Sequence, residues 1–179
     1  AHGFGNVILN TLNAICQVYL TVMRGTPMMV QLMIMYFVIF ASSRHSVAVA
    51  TLAFGINSGA YVAEIVRGGI MSVDAGQMEA GRSLGMNYTQ TMRHIIIPQA
   101  IKNILPALGN EMITLLKDTS LMTVTGAKDL MKAAQSVTAV TYQPLMPYVS
   151  IAVIYLVCVM ALSKALAVFE RRLRNSDRR

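Results

Sequence analysis

Long apolar runs alternate with short polar segments along this chain. Three runs are clear: residues 47–66 with 20 positions, 95–116 with 22 and 148–169 with 22. A helix that crosses a bilayer needs about 20 residues at 1.5 Å each, so each run predicts a span. A fourth, 27–41, has 15 residues. Extended back through Thr26, it predicts a span over 26–41, with Pro27 suited to a first helical turn, where a missing N–H costs little. Residues 7–23 differ. Ile8, Leu12, Ile15, Tyr19 and Val22 recur at spacings of 4, 3, 4 and 3, a single helical stripe. Asn6, Asn10, Asn13 and Gln17 interrupt the remainder, which fits an interfacial helix better than a span. A short helix is expected over 128–137, followed by the turn-prone Gln143, Pro144 and Pro147. The fold class is therefore all-α, a multi-pass helical bundle forming one transmembrane domain over 1–179.

The polar segment 67–94 carries its own start and stop signals. Asp74 with Gln77 three residues later resembles a capping box. Helical pattern then runs to Leu84, and Gly85 suits a C-terminal cap. Asn87 opens a second helix, with Gln90 three residues on. Residues 75–96 thus predict helix, tight turn, helix. Leu84, Gly85, Tyr88, Met92 and Ile95 fall on one side of the wheel, and Glu79, Arg82, Gln90 and Arg93 on the other. A capped surface helix and a docking element both fit this pattern.

Composition agrees with a lipid environment. Hydrophobic residues make up 55% and charged residues 13%, against about 25% charged in soluble domains, and mean hydropathy is +0.53. The net charge of +7 raises the question of nucleic acid, but no aromatics are interleaved with the basic residues as a stacking surface would need. Instead Arg171, Arg172, Arg174, Arg178 and Arg179 crowd the end of the last apolar run, the pattern of a cytoplasmic membrane flank able to meet anionic lipid. Tracing back from a cytoplasmic C-terminus places 117–147 outside, 67–94 inside, 42–46 outside and Arg24 inside. Lys117, Lys128 and Lys132 count against this orientation; Asp118 and Asp129 beside them carry little weight in the rule. Cys16 and Cys158 lie far apart in apolar surroundings and are expected as small buried hydrophobes. His2, His45 and His94 do not cluster, so no metal site is proposed. The many methionines suit adaptable packing.

Polar residues inside the runs are the candidates for a path. Gln99, Asn103, Pro106, Asn110, Thr114 and Lys117 are spaced 4, 3, 4, 4 and 3 and share one helical face. Hydrocarbon offers amides no partner, so such a stripe faces protein or water. Asn57, Tyr61 and Glu64 form a second stripe on 47–66. Glu111 lies within its run, where a carboxylate costs about 2.5–3.5 kcal/mol to insert, which marks it as a functional candidate. Interhelical hydrogen bonding is the alternative for Asn103, Asn110 and Glu111. Glu64 is expected to pair with Arg67 three residues on. Gly55 and Gly59 suit close helix packing. Pro98 and Pro106 are expected to interrupt the hydrogen-bond ladder. There is no Gly-rich phosphate loop with a Lys, and no catalytic residue is assigned. From the residues alone, a transporter, a passive channel and a membrane scaffold remain open, although a scaffold gains little from polar spans.

The segment Glu79-Ala80-Gly81, then Gly85, then Ile95 and Pro98 resembles the EAA motif of bacterial ABC-type importer permeases. That motif reads Glu-Ala-Ala, three residues, Gly, nine residues, Ile-x-Leu-Pro. This chain departs at Gly81, where the pattern has Ala, and at Ile97, where it has Leu. Arg24-Gly25-Thr26-Pro27, Tyr61 through Ile70, Gly76 through Ala80, and Leu116 through Leu121 are similar to the polar amino acid uptake permeases. The resemblance covers nearly the whole chain. It implies that a first transmembrane helix precedes these residues, leaving four spans here. It implies that Glu79, Ala80, Gly81, Gly85 and Tyr88 belong to a coupling helix seated in a cytoplasmic ATPase. It further implies two permease subunits, identical or homologous, two ATPase subunits holding ATP and Mg, and an external amino acid binding protein. This subunit would hold no cofactor of its own.

Overall fold

The computed structural model describes residues 4–175, and the side chains of 6–171. His2, Arg178 and Arg179 lie outside the described residues, as do the side chains of Arg172 and Arg174. The described chain is helical, with no strand. Its order is α1 (Phe4–Gly25), α2 (Met28–Ile34) continuing as a π-helical turn (Met35–Ile39), α3 (Ser46–Met71), α4 (Ala75–Ser83) and α5 (Tyr88–Thr91). A second π-helical turn (Met92–Ile96) leads into α6 (Ile97–Asp118), a 3₁₀ segment (Thr119–Thr125), α7 (Leu130–Thr141) and α8 (Leu145–Asn175).

By length and composition, three helices among the described residues can cross a membrane: Asn6–Gly25, Ser46–Met71 and Leu145–Arg171. The first coincides with the helix expected at the interface. The expected span 26–41 is a seven-residue α-helix and a five-residue π-helical turn, and Pro27 stands at its N-cap with an extended backbone rather than inside the first turn. The expected span 95–116 is α6, which carries Lys102, Glu111, Lys117 and Asp118 and is the least apolar of the long helices.

The centre of the bundle is the pairing of α3 with α6, and α8 also packs on α6. Small residues permit the close approach. A Cβ at Gly69 would overlap the Ile104 side chain, and one at Gly109 would overlap Leu166 of α8. Leu32, Ala50, Ala53 and Phe54 form the buried core, covered by Met28, Met35, Leu115, Leu121, Met122 and Val124; the methionines there are packing residues, as expected. The outer faces are apolar and exposed, among them Val7, Leu9, Ile15, Leu156 and Val157. Cys16 and Cys158 lie on those faces, exposed, not buried as expected. In a membrane protein apolar surroundings in sequence do not imply burial against protein, because lipid accepts the same side chains.

α1 is attached through its C-terminal third. The Tyr19 hydroxyl donates to the Ile56 carbonyl at 2.5 Å, and Gly59 leaves room for it: a Cβ there would lie 2.9 Å from the Tyr19 oxygen.

Candidate functional site

The hairpin α4–α5 forms from the local signals read in its sequence. α4 ends at Ser83, and Gly85 adopts φ +79°, a left-handed conformation that glycine adopts without Cβ strain. The Gly85 N–H donates to the Arg82 carbonyl at 2.9 Å and the Met86 N–H to the Gly81 carbonyl at 3.1 Å, the paired bonds of a Schellman cap. Asn87 and Gln90 make the reciprocal capping box, both bonds at 2.9 Å. The box expected at Asp74 is absent: Asp74 Oδ1 accepts from the Gly76 N–H at 2.7 Å, while the Gln77 side chain turns to α6.

Gly81 sets how closely the two arms cross. A Cβ on it would lie 2.5 Å from Thr91 Cγ2, 2.8 Å from Thr91 Oγ1 and 3.2 Å from Ile95 Cδ1, and Thr91 is fully buried. Above this contact the tip is open: Leu84 is 80% exposed and Tyr88 63%. Glu79, Ala80 and Arg82 are exposed beside them. Of the apolar side foreseen for the hairpin, Leu84 and Tyr88 point outward, and Met92 and Ile95 are half-buried toward the bundle. The second arm continues into α6 without a break, from Tyr88 through the π-helical turn to Asp118. Pro98 sits in the first turn of α6. It has no N–H to offer the carbonyl four residues back, and the wide turn immediately precedes it. Pro106 lies inside α6.

The polar faces of α3 and α6 separate into three groups. The first joins helices α1, α2 and α3. Buried Asn57 donates Nδ2 to the Met23 carbonyl and to Gln31 Oε1, each at 2.9 Å, and Gln31 Nε2 donates to the Met23 carbonyl at 2.9 Å and to Thr26 Oγ1 at 2.6 Å. Below it Glu64 accepts from Arg67 Nε at 3.0 Å and Nη2 at 2.9 Å, the pair expected from spacing. Arg24 is a third member, 3.3 Å from Glu64 Oε2 and stacked 5.8 Å from the centre of the Tyr61 ring. Spacing within one helix gave no sign of Arg24; its position at the end of α1, where no acidic residue is near in sequence, was the available hint.

The second group lies where α3 and α4 meet the start of α6. Gln99 Nε2 donates to Gln77 Oε1 at 3.2 Å and to the Ile95 carbonyl at 3.0 Å. Asn103 Nδ2 donates to Ser72 Oγ at 2.8 Å.

The third group lies farther along. Ser58 of α3 donates to Glu111 Oε1 of α6 at 2.9 Å, beside a groove of about 560 Å³ that Gly55, Ser58, Gly59, Phe54, Leu115 and Met122 help to line. Gly59 packs as expected; Gly55 has open space around it and borders the groove. Asn110, Thr114 and Lys117 are exposed on α6, with the Thr114 hydroxyl donating to the Asn110 carbonyl at 3.2 Å. Asp118, past the expected span, has its carboxyl pKa raised from the ordinary value by burial, a shift opposed by Lys117. No group of three or more His, Cys, Asp or Glu placed to hold a metal occurs among the described residues.

A family described as the binding-protein-dependent transport system inner membrane component matches residues 3–175. The chain is 41% identical over 166 residues to the arginine transport system permease protein ArtQ of Bacillus subtilis (strain 168), covering 91% of this chain and 76% of that one. It is 39% identical over 180 residues to the glutamine transport system permease protein GlnP of Escherichia coli (strain K12), covering 97% and 80%. It is also similar to the crystal structure of an amino acid ABC transporter with histidines, at 47% identity and a TM-score of 0.86, covering 91% of this chain and 77% of that one.

Proposed function

The chain belongs to the family of inner membrane components of binding-protein-dependent transport systems, and on that premise we propose that residues 79–92 couple it to a cytoplasmic ATPase while the far polar face of α6 lines the route of a polar amino acid. It is a permease subunit of an amino acid ABC transport system and forms the translocation path. The family works with a binding protein and an ATPase, which we assign to the outer and the cytoplasmic side. The composition we assign is two permease subunits, the same or homologous, and two ATPase subunits, with ATP and Mg held by the latter. The C-terminus is assigned to the cytoplasm from its arginine cluster.

The observation that carries the coupling role is the hairpin tip. Leu84 and Tyr88 stand 80% and 63% exposed on a frame fixed by a glycine cap, a capping box and the Gly81–Thr91 contact. Exposed apolar side chains on a rigid base, ringed by Glu79 and Arg82, suit insertion into a groove of a protein partner. Since α5 runs on into α6, displacement of the tip reaches the face bearing Asn110, Glu111, Thr114 and Lys117. These four residues are the path candidates we retain. Asn57 is engaged in helix joining, and Tyr61 stacks with Arg24.

The test is transport in vesicles holding permease, ATPase and binding protein. Glu79→Arg or Gly85→Val is expected to leave ATP hydrolysis while abolishing most uptake. Normal uptake by both variants would remove the coupling role, and uptake that persists without ATP would point to a passive facilitator.

A further inference from the structure

Gln99 and Asn103 share one face of α6 with Asn110 and Thr114, and that face invites the reading that all four meet the transported molecule. The bonds of the first two point elsewhere. Gln99 Nε2 reaches Gln77 Oε1 at 3.2 Å, in the first turns of α4. Asn103 Nδ2 reaches Ser72 Oγ at 2.8 Å, and Ser72 is the C-cap of α3, its hydroxyl donating in turn to the Gly69 carbonyl at 2.8 Å. The two α6 residues are one helical turn apart. Of their partners, Ser72 opens the three-residue joint 72–74 between α3 and α4, and Gln77 lies just past it. Just along α3 from that joint, Gly69 lies flush on Ile104 and the Ala100 carbonyl. Glu111 is farther along α6, about 18 Å from Gln99 and about 12 Å from Asn103 by helical rise.

We propose that Gln99 and Asn103 are positioning residues of the coupling, two rungs that lock the α3–α4 joint to α6, and that they do not contact the transported amino acid. This rests on the hairpin being the element that receives motion from the ATPase. The second arm of the hairpin passes motion to α6 through continuous helix. The first arm has no such continuity: α4 joins α3 only through the non-helical segment Ser72, Val73 and Asp74, and the Gly81–Thr91 contact ties it to the second arm rather than to α3. The Gln77–Gln99 rung holds α4 to α6, and the Ser72–Asn103 rung holds the end of α3 to the same helix. With both in place, α3, α4 and α6 move together at this end of the bundle, and the helices that share the Ser58–Glu111 bond are driven as a pair.

The experiment uses vesicles containing the complete transporter with its ATPase and binding protein. Amino acid imported per ATP hydrolysed is measured for Gln77→Ala, Ser72→Ala, Gln99→Ala, Asn103→Ala and the double variant Gln77→Ala with Gln99→Ala. Each single change is expected to lower that ratio about fivefold, the factor set by one hydrogen bond, with the order of preference among amino acids unchanged. The Gln77–Gln99 double variant is expected to be no worse than either single. Ser72→Ala deletes one exposed hydroxyl, so a fall in its ratio reports the rung rather than a misfolded chain. The proposal is overturned if Gln77→Ala and Ser72→Ala are silent while Gln99→Ala or Asn103→Ala alters the preference among amino acids, or if every ratio is unchanged. Glu79→Arg in the same assay separates the two readings. If it uncouples while the rung variants do not, the hairpin keeps its role and the rungs lose theirs; if it and Gly85→Val are both silent, the hairpin reading falls.

Discussion

Ser58 of α3 and Glu111 of α6 are joined by a hydrogen bond of 2.9 Å at the contact between the two central helices. A carboxylate within such a bundle gains from a donor, a hydrogen bond to a charged group contributing about 1.5–3 kcal/mol. Glu111→Gln keeps an acceptor for the Ser58 hydroxyl and removes the charge. We expect it to hold the thermal stability of the detergent-solubilised transporter within about 1 kcal/mol of the parent while uptake falls. Glu111→Leu is expected to lose both. Differential scanning of the purified complex beside vesicle uptake checks the pair, and a glutamine variant with full uptake would show that the charge has no part in transport.

Gly81 and Thr91 form a second coupled pair. A methyl at position 81 would sit 2.5 Å from Thr91 Cγ2, so Gly81→Ala forces the two hairpin arms apart at an expected cost of about 1–3 kcal/mol. Thr91→Ala removes the two nearest atoms that crowd the new methyl and leaves only Ile95 Cδ1, at 3.2 Å. The double variant should regain most of the loss, and proteolysis within residues 83–88 is a direct measure of whether the arms separate. If Gly81→Ala alone leaves the cleavage rate unaltered, the close crossing is not what holds the tip.

Gly85 is a backbone requirement rather than a packing one, since nothing lies within 4 Å of a Cβ built there. At φ +79° an ordinary residue costs about 1–2 kcal/mol, and Asn tolerates the conformation best. Gly85→Ala is expected to lower the melting temperature more than Gly85→Asn. Equal melting temperatures for the two would mean that the cap is not in the left-handed form.

The parts of this site that were legible in the sequence are those encoded within a few residues. The Gly85 cap and the Asn87–Gln90 box needed only local spacing, and so did the Glu64–Arg67 pair. The parts that were not legible depend on which helices cross. Nothing near Gln77 in sequence indicates that its side chain leaves Asp74 for Gln99, and nothing near Arg24 indicates Glu64. The polar stripe on α6 was visible as one face, yet it serves different neighbours along its length, because Gln99 and Asn103 bond to Gln77 and Ser72 while Thr114 bonds within α6 to the Asn110 carbonyl. Cys16 and Cys158 show the opposite limit: apolar sequence in a membrane chain reports the solvent it faces and not the depth of burial.

The joint of α1, α2 and α3 gives a prediction in which two substitutions do not add. Asn57 Nδ2 donates to the Met23 carbonyl and to Gln31 Oε1, and Gln31 Nε2 donates independently to the same Met23 carbonyl at 2.9 Å. Asn57→Ala therefore leaves the Met23 carbonyl with one donor and orphans only the Gln31 oxygen, at an expected cost of about 1–2 kcal/mol. Gln31→Ala likewise leaves the carbonyl served by Asn57. The double variant strips both donors from a carbonyl at the C-terminal end of α1. At the carbonyl each single loss is buffered by the other amide, while both singles break the same Asn57–Gln31 bond, which the double variant loses once. The double-mutant cycle should therefore show a coupling of about 0.5–3 kcal/mol, with a double that costs more than the two singles together where the shared carbonyl dominates. Chemical unfolding of the four proteins in detergent gives the cycle directly. Strict additivity would mean that the two amides do not share the carbonyl, and that α1 is held to α3 chiefly by Tyr19 and the Arg24–Glu64 pair.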